Sequence, residues 1–88
     1  MILTVDVGNS EITFGGFEGD ELRFEAHLAT EAGSTDDEYA MRLDGVLRLH
    51  GVEKREVTGA VISSVVPQLN RTLKRAIRFL FGVKRKGA

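Results

Sequence analysis

Five consecutive residues, Asp6-Val7-Gly8-Asn9-Ser10, bring together the groups that phosphate chemistry uses: a carboxylate, a glycine and two short polar side chains. Glycine in a turn lets the backbone come close to a ligand, and the exposed N–H groups of such a turn can cradle phosphate oxygens. Asn9 and Ser10 add side-chain donors. Asp6, just before the turn, is placed to hold a magnesium ion through water beside anionic phosphates. Donors and metal together would neutralise the charge of a triphosphate. The same residues also suit an ordinary hairpin, because Gly-Asn is common turn chemistry and aspartate bonds its own turn backbone. Taken alone, the pentapeptide reads as the hairpin turn, and only its neighbours raise the phosphate reading above it.

Other chemistries find little support. The chain has no cysteine, which excludes disulfides, thiolate metal sites and a cysteine nucleophile, and its two histidines make a poor metal site. Ser63 and Ser64 lack the glycine-flanked elbow of a hydrolase nucleophile and have no histidine partner in view, so they are read as bonding local backbone. Asp36, Asp37 and Glu38 are explained by helix capping and the helix dipole rather than by a metal cluster. His27 falls on the polar face of a strand and His50 near a helix end, where neither needs a function. Tyr39 lies on an apolar helical stripe and is assigned to the core.

The elements that must position the turn are legible from periodicity. Residues 2–7 are apolar until Asp6, the pattern of a central strand covered on both faces. Residues 11–17 form a second strand, and Glu18-Gly19-Asp20 a tight hairpin turn in which Gly19 can take positive φ. In residues 22–28, Leu22, Phe24, Ala26 and Leu28 alternate with Arg23, Glu25 and His27, so a third strand with one wet face belongs at the sheet edge. A polar loop over residues 30–34 leads to Thr35, which forms a capping box with Glu38. The helix that follows carries the stripe Tyr39, Leu43, Val46 and Leu47 and ends at Gly51. Residues 60–66 read as a buried parallel strand that stops at Pro67. A second helix then places Leu69, Leu73, Ala76, Ile77 and Leu80 opposite Arg71, Lys74, Arg75 and Arg78, with Gly82 closing it. The order is βββαβα, and a meander followed by a returning parallel strand predicts an α/β fold with a mixed sheet ordered 3-2-1-4 and helices packed on it. The fourth strand keeps an unpaired side, a liability that calls for a partner.

With 88 residues, 42% of them hydrophobic and 28% charged, the chain is expected to form one soluble domain with one core. So short a domain buries only about 60% of its unfolded surface, which makes self-association plausible. Every acidic residue lies at or before Glu56, whereas seven of the twelve basic residues lie from Arg71 onward. That basic end occupies one helix face and a tail without interleaved aromatics, so it is read as solvated surface and not as a nucleic-acid site. The amino terminus lacks the basic flank of a signal peptide and no apolar run approaches the ~18 residues of a membrane span, so a cytoplasmic protein is expected. Asn70-Arg71-Thr72 fits a glycosylation triplet, which has no meaning without a secretory route.

Three landmarks in order carry a resemblance: residues 1–10, Thr35-Asp36-Asp37-Glu38-Tyr39, and Val61-Ile62-Ser63-Ser64-Val65-Val66-Pro67. Together with Phe14-Gly15 and Leu73-Lys74-Arg75-Ala76, they make the chain similar to type III pantothenate kinase up to about Gly82. That family belongs to the acetate and sugar kinase, heat-shock ATPase and actin superfamily, whose two duplicated ribonuclease-H-like domains bind ATP between them. The resemblance implies a truncated ribonuclease-H-like half domain. It also implies ATP-dependent phosphorylation of pantothenate in coenzyme A biosynthesis, with Mg2+, a monovalent cation (K+ or NH4+) and a homodimeric assembly. Asp6, Val7, Gly8, Asn9 and Ser10 would match the family's first phosphate motif, with Asp6 toward the metal.

The chain departs from the family where an apolar strand and a glycine-rich pantothenate-binding segment should follow. Val83-Lys84-Arg85-Lys86 stands there instead, and the catalytic base, pantothenate pocket, adenosine site and second domain have no counterpart. Glu31 and Gly33 also fall where family members often carry basic residues. The expectation is therefore a partial amino-terminal ATPase-type domain over residues 1–82 and a basic flexible tail over 83–88. Such a chain has the phosphate loop, no catalytic residue of its own, and no independent activity. The alternative is a non-enzymatic nucleotide-binding or regulatory protein similar to the Bvg accessory factors, which share this architecture.

Overall fold

A computed structural model describes residues 1–82, and the basic tail expected over 83–88 lies outside the described residues. The first strand, β1 (Ile2–Val7), pairs antiparallel with β2 (Glu11–Glu18), which pairs antiparallel with β3 (Glu21–Ala29). The β2–β3 turn has Gly19 at φ 61°, a conformation that residues with a Cβ avoid. After helix α1 (Asp36–Leu49) and a 3-10 turn at Lys54–Glu56, strand β4 (Gly59–Ser64) returns parallel to β1. The sheet order is β3-β2-β1-β4. A 3-10 turn at Pro67–Leu69 then leads into helix α2 (Asn70–Ile77), which widens into a π-helical turn at Arg78–Gly82. The single regular helix expected from Pro67 onward is thus three helical geometries in succession.

One contiguous core lies between the helices and one face of the sheet. Leu3, Val5 and Val7 of β1, Ile12 and Phe14 of β2, and Phe24 and Ala26 of β3 are buried against Tyr39, Ala40, Leu43 and Leu47 of α1 and Leu69, Leu73 and Ala76 on the α2 side. No polar or charged residue is buried among the described residues, so burial of apolar area holds the layers together. Helix α1 begins where the sequence puts it: Thr35 Oγ1 accepts from the Glu38 N–H at 3.1 Å, and the Glu38 carboxylate accepts from the Thr35 N–H at 2.7 Å. Gly51, at φ 72°, ends it.

Three expectations are corrected. Strand β1 is central but covered on one face only, since Ile2 and Asp6 point to an open face while Leu3, Val5 and Val7 point inward. Strand β4 is not a buried strand: none of its residues is buried and Val61 is 60% exposed. A β-branched run encodes strand propensity, not the number of layers that cover it. Leu22 does not join Phe24 and Ala26 in the core, because the register shifts between Gly16 and Phe17 and a bulge breaks the alternation. Leu22 lies instead beside Phe17 and Gly15 on the open face. The molecule is a small α/β unit with a four-stranded mixed sheet and two helices, an arrangement compatible with the amino-terminal half of an actin-like or ribonuclease-H-like fold.

Candidate functional site

Asp6 stands near the carboxyl end of β1, on the open face of the sheet. Its neighbours in register are Thr13 on β2 and Ser63 on β4, so the carboxylate is flanked by two hydroxyl-bearing residues. Asp6 is exposed, and its carboxylate has no hydrogen bond or ion pair among the described residues. Thr13 is engaged elsewhere, its hydroxyl 3.3 Å from His27 Nδ1, and His27 also lies 3.3 Å from the Glu11 carboxylate. His27 is exposed on the polar face, where the alternation puts it.

The turn that follows is tightly held. The Gly8 N–H donates to the Glu11 carbonyl at 2.9 Å, and a Cβ on Gly8 would meet that same oxygen at 3.1 Å. The Gly8 donor therefore closes the turn and is not among its exposed N–H groups. Asn9 and Ser10 are exposed, and neither side chain is bonded among the described residues. On the β4 side the Val65 N–H donates to the Val7 carbonyl at 3.0 Å. On the other side Thr30 grips the turn twice: its N–H donates to the Ser10 carbonyl at 2.9 Å and its hydroxyl to the Gly8 carbonyl at 2.8 Å. Sequence reasoning passed over Thr30, a loop threonine whose partners lie about twenty residues upstream and leave no local signal.

The other candidates fall where capping and packing put them. Ser64 Oγ accepts from the Val66 N–H at 2.9 Å and donates to the Val66 carbonyl at 3.1 Å, satisfying backbone as β4 ends. Tyr39 is 1% exposed and packs in the core, yet its hydroxyl also bonds the backbone of Glu31. Glu31 pairs with Arg42 of α1 at 2.9 Å, so the loop's carboxylate is balanced from the helix. Among the described residues no three of His, Asp and Glu converge as a metal cluster. A cation at Asp6 would take its remaining ligands from water and from the anion it accompanies.

A profile of the family described as type III pantothenate kinase matches residues 2–86. The chain belongs to the type III pantothenate kinase family. A type III pantothenate kinase of Finegoldia magna is 39% identical over 84 residues, covering 96% of this chain and 32% of the relative. That of Brevibacillus brevis is 43% identical over 75 residues, covering 85% of this chain and 29% of the relative. One from a Geobacillus species is 38% identical over 84 residues, covering 96% and 33%. The chain thus spans about a third of the length of these pantothenate kinases.

Proposed function

We propose that this chain supplies the first phosphate-binding element of a type III pantothenate kinase, in which ATP phosphorylates pantothenate in coenzyme A biosynthesis. The observation that carries this reading is the juxtaposition of an exposed Asp6 carboxylate, unpartnered among the described residues, with a rigidly held turn offering Asn9 and Ser10. In that role Gly8 lets the backbone approach, while Asn9 and Ser10 donate to phosphate oxygens. Val7 and Gly8 fix the turn through backbone bonds. The donor set at Asp6 fits Mg2+, which favours one carboxylate oxygen and keeps several waters. The ion would offset phosphate charge when bound; the chain's part is to hold a carboxylate within reach of it.

The monovalent cation, K+ or NH4+, and pantothenate belong to the full-length family site, and no residue of this chain is assigned to them. Phosphoryl transfer also needs a group to take the proton of the attacking hydroxyl, and in this reading Asp6, whose carboxylate is unpaired among the described residues, serves the metal instead. On that ground the 88 residues are read as a nucleotide-binding portion that is inactive alone; the same reading puts them in the cytoplasm and has them self-associate as a homodimer through the uncovered β4 side. No helix among the described residues is long and apolar enough to cross a membrane.

Titration of the chain with ATP, with Mg2+ and then with EDTA, tests the site. Binding should require Mg2+ and weaken about tenfold in Asp6→Ala, the scale of one charge-assisted contact. Equal binding by Asp6→Ala would sink the assignment. A pantothenate phosphorylation assay on the same sample should show no turnover, and robust turnover would overturn the claim of inactivity. Binding without turnover in the longer relatives as well would favour the regulatory alternative.

A further inference from the structure

Two sets of hydrogen bonds, joined by the Thr30–Glu31 peptide bond, link helix α1 to the phosphate turn. Tyr39 is fixed at 1% exposure inside the core. Its hydroxyl accepts from the Glu31 N–H at 2.8 Å and donates to the Glu31 carbonyl at 3.0 Å, so one side chain satisfies both backbone groups of one residue. Arg42 reinforces the grip from the same helix, with its guanidinium 5.3 Å from the Tyr39 ring centre and 2.9 Å from the Glu31 carboxylate. Glu31 is covalently joined to Thr30, whose N–H and hydroxyl hold the Ser10 and Gly8 carbonyls on either side of Asn9. Pinning these two carbonyls fixes the Gly8–Asn9 and Ser10–Glu11 peptide planes, which aims the Asn9 N–H and anchors the backbone from which the Asn9 and Ser10 side-chain donors project.

We infer that Thr30 and Tyr39 are positioning residues for the Asn9 and Ser10 donors: the start of the β3–α1 loop is a clasp that presets the turn for an incoming phosphate. The ligand half of this inference rests on the nucleotide reading above; the clasp itself does not. Preorganisation is the physical gain, because donors already aimed lose little freedom on binding. The clasp also explains why a tyrosine, rather than phenylalanine or leucine, occupies a core position on α1: the ring fills the core and the hydroxyl finds backbone partners.

The test uses the 88-residue chain with Thr30→Val, Thr30→Ser and Tyr39→Phe. MgATP affinity and the amide NMR signals of Gly8, Asn9 and Ser10 without ligand are measured for each. Thr30→Val keeps the shape and removes the hydroxyl. It should weaken MgATP binding roughly fivefold to tenfold, the scale of one lost hydrogen bond. It should also shift or broaden the turn amides while those of Leu43 and Leu73 stay in place. Thr30→Ser should restore both readouts. Tyr39→Phe should move the same turn signals, and its effect with Thr30→Val should be less than additive, as expected within one path. Unmoved turn amides in Thr30→Val, unchanged affinity despite moved amides, or a serine variant as impaired as the valine one would each overturn the inference. Failure of the unaltered chain to bind MgATP would overturn the nucleotide reading alone, since the ligand-free amides still decide the clasp.

Discussion

Asp6 is exposed, and no bond among the described residues ties its carboxylate to the fold. Buried or bonded carboxylates stabilise a fold through their partners, and this one has none among the described residues. Asp6→Asn should therefore leave the thermal midpoint almost unchanged, within the ~0.5 kcal/mol typical of unpartnered surface changes. A loss of several degrees in a melting experiment would show that the carboxylate serves the fold. Tyr39 shows the opposite case, with its aromatic body legible as core from helical spacing and its hydroxyl's role invisible there. Thr30 was not legible at all. Its partners Gly8 and Ser10 are brought to it by two strand pairings, and a side-chain bond across such a distance imposes no periodicity.

Elements are more legible than residues, because caps and alternation act within a few positions. Thr35, Glu38 and Gly51 bound α1 closely, and the capping box is present in full. Thr35→Ala removes an N-cap acceptor and should lower stability by about 1 kcal/mol, read by chemical denaturation with an unchanged slope. The strands were legible as strands, but their surroundings were not. The bulge that turns Leu22 outward depends on how Gly16 meets Phe24, which no alternation rule contains. At Gly16 an added Cβ would stand 2.3 Å from a Phe24 ring carbon and 2.6 Å from the Met1 sulfur. Gly16→Ala should consequently destabilise the chain by about 1–3 kcal/mol as the ring is displaced, and no change in stability would mean that the β2–β3 bulge relaxes to make room.

At the scale of the whole molecule, the two edges of the sheet differ. Strand β3 carries Glu21, Arg23, Glu25 and His27, charges and polar groups that discourage pairing with another chain. Strand β4 has no charged residue along its length. The open face shows Ile2 and Val61 at the β4 side and Leu22 at the β3 side, with Val65 also exposed. Strand connectivity anticipated the bare edge but not the uncovered face, because an apolar strand reads the same whether one layer or two will lie on it. Sedimentation at rising concentration should reveal reversible association, and Val61→Lys should reduce it without lowering the melting temperature. Association unaffected by that lysine would move the contact away from β4.

The parallel ladder between β1 and β4 also orders events in time. Hairpin β2–β3 closes across a tight turn, whereas β1 meets β4 only after the chain returns from 57 residues away, the separation between Met1 and Thr58 where the ladder starts. Contacts that close long loops form late, since the entropy of bringing their ends together must be overcome first. In refolding followed by pulse labelling, amides of Phe14 and Ala26 should gain protection before those of Ile62. The Asp6 turn, bonded on one flank by Thr30 and on the other by Val65, would then acquire its second support only in the last step. The turn proposed to hold a phosphate would be among the last parts of this chain to be completed on its way to the folded state.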